Sequence, residues 1–409
     1  MKDTGLRVKE ILLPNTSDMS SWACIACDQF TSEQEYWTEL ESKVNGKITT
    51  LDLILPEIYL DEKTDERIEK VNKNIKSYLD KGVFKKLQKG FILTVRKTPF
   101  VERRIGLIGA IDLEKYEYSK KSSALIRSTE GTIEERIPPR LKIRKDAAVE
   151  FPHVMILFDD EKREITEKLY ENRESLECVY DFELNMNGGH ITGYFVSDYQ
   201  GVLDSFSRLL EDERLIAKYG TNDNFAFAVG DGNHSLATAK AHWNNVKKGL
   251  TKEEQENHPA RFALAEFVNI YDVGIYFEPI YRFVNGVNRE DFISGLQKVV
   301  GDFGIYNGKD TQEMVANVAL PESITNVDNY IKEYIAKNGG LVDYVHGESN
   351  LIDLVNASEK AVGITFQKLD KKDLFKYVST KGAFPRKTFS MGEGVEKRYY
   401  LEGSKIIND

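Results

Sequence analysis

The sequence predicts an α/β fold of mixed α+β character, and three observations carry that reading. Short apolar runs such as Phe91-Ile-Leu-Thr-Val95, Ile105-Gly-Leu-Ile-Gly-Ala-Ile111 and Arg261-Phe-Ala-Leu-Ala-Glu-Phe-Val-Asn-Ile-Tyr-Asp272 have the length and composition of buried strands. Charged stretches with apolar residues at helical spacing lie between them, as in residues 61–89, where Ile68, Val71, Ile75, Tyr78 and Leu79 form one stripe. The stretch Phe225-Ala-Phe-Ala-Val-Gly-Asp-Gly-Asn-His-Ser-Leu-Ala237 strings a buried strand, a tight turn and a helix start in immediate succession.

A chain of 409 residues can bury a large core and is long enough for two domains. The expected division is an α/β core over residues 1–265 and a C-terminal α/β lobe over 266–409, whose tail, 384–401, returns to the active site. Hydrophobic residues at 41% and charged residues at 30% fit a soluble globular protein. No run of about 18 apolar residues is present to cross a membrane. The first ten residues, Met1-Lys-Asp-Thr-Gly-Leu-Arg-Val-Lys-Glu10, lack the apolar stretch of a secretory signal, so a cytoplasmic protein without membrane contact is expected. A formal net charge of −10 argues against a general nucleic-acid binder, and an anionic ligand must then be held by a local cluster. Cys24, Cys27 and Cys178 give no disulfide framework. The Cys24-Ile-Ala-Cys27 spacing suits redox chemistry or half a zinc site, but no second pair follows, and packing thiols fit as well.

In chain order, Ile11-Leu-Leu-Pro14 and Ser21-Trp-Ala-Cys-Ile-Ala-Cys27 read as strands. The second leads into Asp28 and Gln29, which are either ligand groups at a strand end or turn residues. Thr31 or Ser32 with Glu35 forms a capping arrangement for a helix through Leu40. Residues 61–89 form an amphipathic helix, and the two strands after it enclose a turn carrying Lys97, Arg103 and Arg104. Ala147 to Asp160 is a strand with Pro152-His153 at its start, where His153 is a ligand or a structural histidine. Residues 161–178 and 199–220 carry helical periodicity, and Phe182 to Val196 is a hairpin turned at Asn187-Gly-Gly189. Beyond the turn at 230–235 come a helix to about Lys248, strands at 261–272 and 274–284, helical patterns at 289–303, 311–318 and 326–337, and a strand at 361–366.

Two segments carry the chemistry. In the turn, Gly230 and Gly232 let backbone approach a ligand, and Asp231, Asn233 and Ser235 can cap exposed amides. A helix start with free N–H groups and a nearby imidazole, His234, binds anions, although the same residues also suit an ordinary capped turn. The second segment, 122–144, places Arg127, Arg136, Arg140 and Arg144 around the hydroxyl-rich turn Ser128-Thr-Glu-Gly-Thr132. Guanidinium forks match phosphate oxygens, so this reads as a phosphate cradle. Alternatively it is a helix face on which Arg136 and Arg140 pair with Glu134 and Glu135. Pro138-Pro139 breaks any long helix here and is expected to present the arginines on irregular backbone.

Taken in order, Cys27-Asp-Gln-Phe-Thr-Ser-Glu33, Arg127-Ser-Thr-Glu-Gly-Thr132, Arg136-Ile-Pro-Pro-Arg140, Gly230-Asp-Gly-Asn-His-Ser235, Phe277-Glu-Pro-Ile-Tyr-Arg282 and Pro385-Arg-Lys-Thr-Phe-Ser390 resemble the bacterial domain-of-unknown-function family numbered one thousand and fifteen. The resemblance spans about residue 10 to 405. The central turn is similar to that of ParB-like and sulfiredoxin-like nucleotide-binding folds, and to the Asp-Gly-His-His turn of free L-serine kinases. It departs from that pattern at Asn233, where many relatives have His, and at Ser235, where they have Arg. Tyr281 likewise stands where His is expected. For the missing Arg, either the distant arginines or Lys240 supply the charge, or the phosphate donor differs.

The resemblance implies a ParB/sulfiredoxin-like core with a mixed sheet, enlarged by further α/β elements. It also implies a small-molecule phosphotransferase, a free L-serine kinase making O-phosphoserine from ATP, ADP or pyrophosphate with Mg²⁺. Asp231 would then orient or deprotonate the acceptor hydroxyl or hold Mg²⁺, with Glu130 as a second candidate base and His234 on phosphate oxygens. Arg127, Thr129, Thr132, Arg136, Arg140, Gly232, Asn233 and Ser235 would bind phosphate. Asp28, Gln29, His153, Arg282 and Arg386 complete the substrate set. The rivals are a ParB-like nucleotide-binding regulator and a phosphatase or hydrolase using the same cradle. Partners are small molecules rather than nucleic acid, and association into oligomers is left open.

Overall fold

The computed structural model describes residues 1–61, 63–132, 134–315 and 318–408, apart from the Arg136 side chain. The chain divides into two compact units. The first comprises Met1–Ile275, Ser379–Gly382 and Glu393–Asp409, and the second Tyr276–Val378 and Ala383–Gly392. A boundary at 265 would cut the strand Phe262–Asn269, which is paired on both sides inside the first unit's sheet. The tail is also divided: Ala383–Gly392 belongs to the second unit and Glu393–Asp409 to the first.

The first unit is built on a mixed sheet, which runs Glu177–Leu184, Gly189–Val196, Phe91–Lys97, Arg104–Asp112, Phe262–Asn269, Met155–Phe158, Phe227–Asp231, Ile126–Ser128, Tyr116–Glu117. Met155–Phe158 runs parallel to Phe262–Asn269 and antiparallel to Phe227–Asp231, which is itself parallel to Ile126–Ser128. All nine residues of Arg104–Asp112 are buried, as its continuous apolar composition requires. Gly106 lies so close to its neighbours that a Cβ would fall 2.2 Å from the Glu266 carboxylate, so the missing side chain makes room for a buried charge. Phe206, on the helix Tyr199–Arg208, packs edge-on against Phe158, Phe227 and Phe267 with centroids 4.9–6.2 Å apart, closing one side of the sheet. A second cluster, with Trp22, Trp37, Ile75 and Phe151 at its centre, joins the N-terminal segments to the strands near Leu264 and Tyr400.

The second unit carries a six-stranded antiparallel sheet centred on Phe277–Asn285. The strand's alternation divides its contacts. Val284 joins the cluster under helices Arg289–Leu296 and Leu320–Asn338, whereas Tyr281 and Phe283 pack against the cluster of Leu351 and Val355 on helix Glu348–Asn356.

Several local expectations change. Residues 19–22 form a helical turn before a two-residue strand, Cys24–Ile25, and the following helix starts at Gln34 with no side-chain cap from Thr31 or Ser32. Of 161–178 only Thr166–Glu171 and a short 3₁₀ turn are helical, because Glu177 already begins an edge strand. Thr311–Met314 is a strand paired with Phe303–Tyr306 rather than a helix, and residues 316 and 317 lie outside the described residues. Pro138 and Pro139 do not break a helix; they sit in the first turn of Ile137–Lys145, where backbone N–H groups have no intrahelical acceptor to lose. The hairpin at Asn187 forms with positive φ at Met186, Asn187 and Gly189.

Candidate functional site

The strand Phe227–Asp231 ends the run of buried residues Phe227, Ala228 and Val229, and the chain reverses into the helix Asn233–Val246 through Gly232 at φ +79°. A Cβ at Gly232 would lie 3.0 Å from Val154 Cα and 3.5 Å from His153 Cδ2, so both conformation and space call for glycine. No side chain caps the helix start. Asp231 turns away from that role: its Oδ1 accepts the Gly232 N–H at 2.9 Å and its Oδ2 lies 3.2 Å from Lys397 Nζ. Asn233 is buried, and among the described residues its Oδ1 has no hydrogen-bond partner, as is also true of Thr132 Oγ1. Uncapped helix amides and a nearby ammonium compose a site for an anion.

Register places the rest of the site. Asp231 is the Cα partner of Met155 across the antiparallel pair, which brings His153, two residues upstream, against the turn. His153 is buried; its Nδ1 lies 2.8 Å from Tyr400 Oη and its Nε2 3.6 Å from Asp28 Oδ2. Tyr400 Oη accepts the Cys27 N–H at 3.2 Å and donates to Cys27 Sγ at 2.9 Å. Gln29 donates its side-chain amide to Asp28 Oδ1 at 3.0 Å. Burial disfavours the imidazolium, but Asp28, Asp231 and Glu57 together outweigh it and raise the His153 pKa. Burial likewise opposes the Asp28 carboxylate, and His153 with the Gln29 amide and Lys397 holds it well below the usual range. Burial and the adjacent Asp28 push the Cys27 thiol up to about 12, so this cysteine stays protonated.

Asp28, His153, Tyr400, His234 and Ser235 share the wall of one cavity of about 160 Å³. Arg140 and Glu57, which form an ion pair, line it too, and much of the remainder is apolar, with Leu55, Val71 and Phe151. The helix Ile137–Lys145 packs on Asn233–Val246, which is how Arg140 reaches His234 and Ser235.

Most of the other expected residues are held by protein partners. Arg127 is buried, gripped by both oxygens of Asp223 at 2.6 and 2.5 Å and by the Ala124 carbonyl, and stacked on Phe225. Its donors are occupied by the protein, so it is a structural arginine here. Thr129 donates its hydroxyl to the Val229 carbonyl at 2.7 Å, tying two strand ends together. Glu130 follows it and is half-buried. The Arg136 side chain lies outside the described residues. Arg144 pairs with Glu150 on the cavity wall. Lys240 does not replace the missing arginine of the turn, because its ammonium is bound to the Leu113 carbonyl at 2.6 Å. In the second unit Arg282 is fully buried against both oxygens of Asp328, at 2.8 and 2.9 Å, and Arg386 contributes its backbone carbonyl to the same guanidinium.

Lys397, Tyr400, Glu57 and Cys27 are site residues that sequence reasoning did not select. Cys27 and Lys397 stood inside segments already singled out. Tyr400 lay in the singled-out tail 384–401 as well, and what places it is the pairing of Tyr399–Tyr400 with Cys24–Ile25; Glu57 carried no motif and is placed by its backbone N–H on the Cys27 carbonyl at 2.9 Å.

The chain belongs to the family described as protein of unknown function (DUF1015), which matches residues 8–372. No curated protein matches the sequence. Similar solved structures include a conserved hypothetical protein from Pyrococcus furiosus, at 10% identity and TM-score 0.37 over 73% of this chain and 94% of that one. A free serine kinase in complex with AMP is similar at 10% identity and TM-score 0.40, covering 73% and 91%. SbnI with C-terminal truncation, from Staphylococcus aureus, is similar at 9% identity and TM-score 0.36, covering 70% and 82%.

Proposed function

For this member of the DUF1015 family we propose a small-molecule phosphotransferase acting on the hydroxyl of an amino acid, L-serine being the first acceptor to test. The observation that supports it is the juxtaposition of an uncapped helix start at Gly232 with a cavity that holds Asp28, His153 and the Arg140–Glu57 pair. The helix amides and Lys397 suit the terminal phosphates of ATP, ADP or pyrophosphate. The facing charges of Arg140 and Glu57 suit an acceptor with both a carboxylate and an ammonium. Phosphoryl transfer asks the protein chiefly for positioning and charge neutralisation, which such a site supplies.

In this reading Asp231 fixes the turn and Lys397, His234 and Ser235 face the phosphates, and Asn233 Oδ1 awaits a donor from the ligand. Asp231 does not fit as a metal ligand, because the Lys397 ammonium stands 3.2 Å from it where a cation would sit. Among the described residues no three His, Cys, Asp or Glu side chains converge to hold a metal ion. Incubation with L-serine, Mg²⁺ and each of the three donors, followed by assay for O-phosphoserine, tests the proposal. Product with at least one donor is expected, and nucleotide binding without product from any donor would favour a nucleotide-binding regulator instead.

A further inference from the structure

Two carboxylates flank the turn, and their surroundings differ. Asp231 has one oxygen on its own backbone amide and the other beside an ammonium. Asp28 has one oxygen on the Gln29 amide and the other 3.6 Å from an imidazole nitrogen, with the side chain 31% exposed on the cavity. An ionised carboxylate offers about four lone-pair sites, so Asp28 retains capacity for a ligand hydroxyl. We propose that Asp28 is the catalytic residue that receives the acceptor's proton, and that His153 and Tyr400 are positioning residues that hold it. This rests on the phosphotransferase reading.

The hydrogen-bond inventory supports the arrangement. Tyr400 has a single O–H, and that hydrogen points to Cys27 Sγ while its oxygen accepts the Cys27 N–H. The 2.8 Å contact with His153 Nδ1 must then be made with a proton from the imidazole. With Nδ1–H on Tyr400, the other ring nitrogen faces Asp28, and its proton gives an imidazolium–carboxylate pair. Ring placement is constrained as well, since Tyr400 meets His153 edge-on at 5.4 Å and Gly232 lies near its Cδ2. The charged or titratable groups around the pair include Asp231, Glu57, Lys397, Cys27 and Tyr400, with Arg140 and His234 on the same cavity wall; Asp231 and Glu57 favour the imidazolium and Lys397 favours the Asp28 carboxylate.

The step balances simply. The acceptor oxygen attacks the terminal phosphorus of a nucleoside di- or triphosphate, or of pyrophosphate, and the bond from that phosphorus to the bridging oxygen breaks. Its electron pair leaves on the departing phosphate, and the hydroxyl proton moves to Asp28. A weak base suffices, because proton transfer comes late in a loose transition state.

The test compares wild type with Asp28→Asn, His153→Gln and Tyr400→Phe for phosphotransfer, for nucleotide binding by calorimetry and for thermal unfolding. Asp28→Asn should lower kcat at least a hundredfold with nucleotide affinity unchanged. His153→Gln removes the positive charge that keeps Asp28 ionised, so the acid limb of the kcat/KM profile should move up from below the usual carboxylate range into it. Tyr400→Phe should move it the same way, by less, and serves if His153→Gln does not fold. Activity of Asp28→Asn within threefold of wild type overturns the proposal, as does an unmoved acid limb in both folded positioning variants. A wild type inactive with every donor and acceptor overturns the phosphotransferase reading, and this role with it, a distinguishable result.

Discussion

Two polar networks meet on four consecutive residues of the tail, and they differ in what closes them. Arg398 enters a buried network, pairing with Glu266 at 2.9 Å and with Glu402, which also receives the Tyr180 hydroxyl. Arg96 joins it, bound to the carbonyls of Gly188, Val395, Glu396 and Lys397, and burial pushes its pKa down to about 9. Lys397 and Tyr400 instead enter the network of Asp231, His153 and Asp28, and of these Asp28, His153 and Tyr400 line the cavity. The first network meets its charges with protein groups; the second leaves acceptor capacity facing an opening. The difference separates charges that specify the fold from charges that can act on a ligand, and exposure follows it: Arg398, Glu266 and Glu402 are almost fully buried, whereas the Asp231 and Asp28 side chains are 26% and 31% exposed.

The strongest way to sharpen the comparison is Arg398→Ala. It strands Glu266 and Glu402 in the interior, and removal of one partner from a buried ion pair costs about 3–5 kcal/mol. Urea unfolding should show that loss, with activity per folded molecule retained; a loss below about 1 kcal/mol would dissolve the distinction.

Asp231→Asn should behave in the opposite sense. The amide oxygen still accepts the Gly232 N–H, so stability should stay within about 1 kcal/mol of wild type. Phosphotransfer should still fall, by up to about a hundredfold, because Lys397 loses the carboxylate that positions its ammonium beside the turn. A protein that unfolds instead would make Asp231 a structural residue like Arg398. Gly232→Ala comes next, costing about 1–3 kcal/mol through its left-handed backbone and the Val154 contact, and chemical denaturation together with donor binding would register both consequences.

How much of this was legible in the sequence depends on the range of the interactions. The strand, turn and helix at 225–246 could be read locally, because Gly232 and the apolar run before it are local signals. The α/β class was also legible from the alternation of apolar runs and charged helices, whereas the mixed sheet was implied only by the family resemblance. Arg127 and Arg282 misled, since a guanidinium that waits for phosphate and one that grips Asp223 or Asp328 look alike in a sequence. The partner carboxylates lie 96 and 46 residues away along the chain. Pro138-Pro139 misled for another reason: proline breaks a helix only beyond its first turn.

The finest test of the comparison uses two histidines of equal exposure, His153 and His242, each 6% accessible. His242 lies on the helix that begins at the turn, and burial, reinforced by Arg144 and His258 against Glu150 and Asp146, pushes its pKa down to about 4 from an ordinary 6.5. Its neutral form is the one the fold favours. Its contribution to stability is therefore complete above pH 6.5 and is lost as pH falls towards 4, where the unfolded chain takes up a proton first. His153 has the reverse sign: its raised pKa gives stability that is complete below 6.5 and lost as pH rises through the folded value. For one proton the slope is at most about 1.4 kcal/mol per pH unit. Urea unfolding of His242→Gln should accordingly show a shallower loss of stability between pH 6.5 and 4 than wild type, and His153→Gln a shallower loss above pH 6.5. Equal slopes in wild type and both variants would mean that the carboxylates around His153 do not distinguish it from a merely buried histidine, and the cavity network would lose its separate standing.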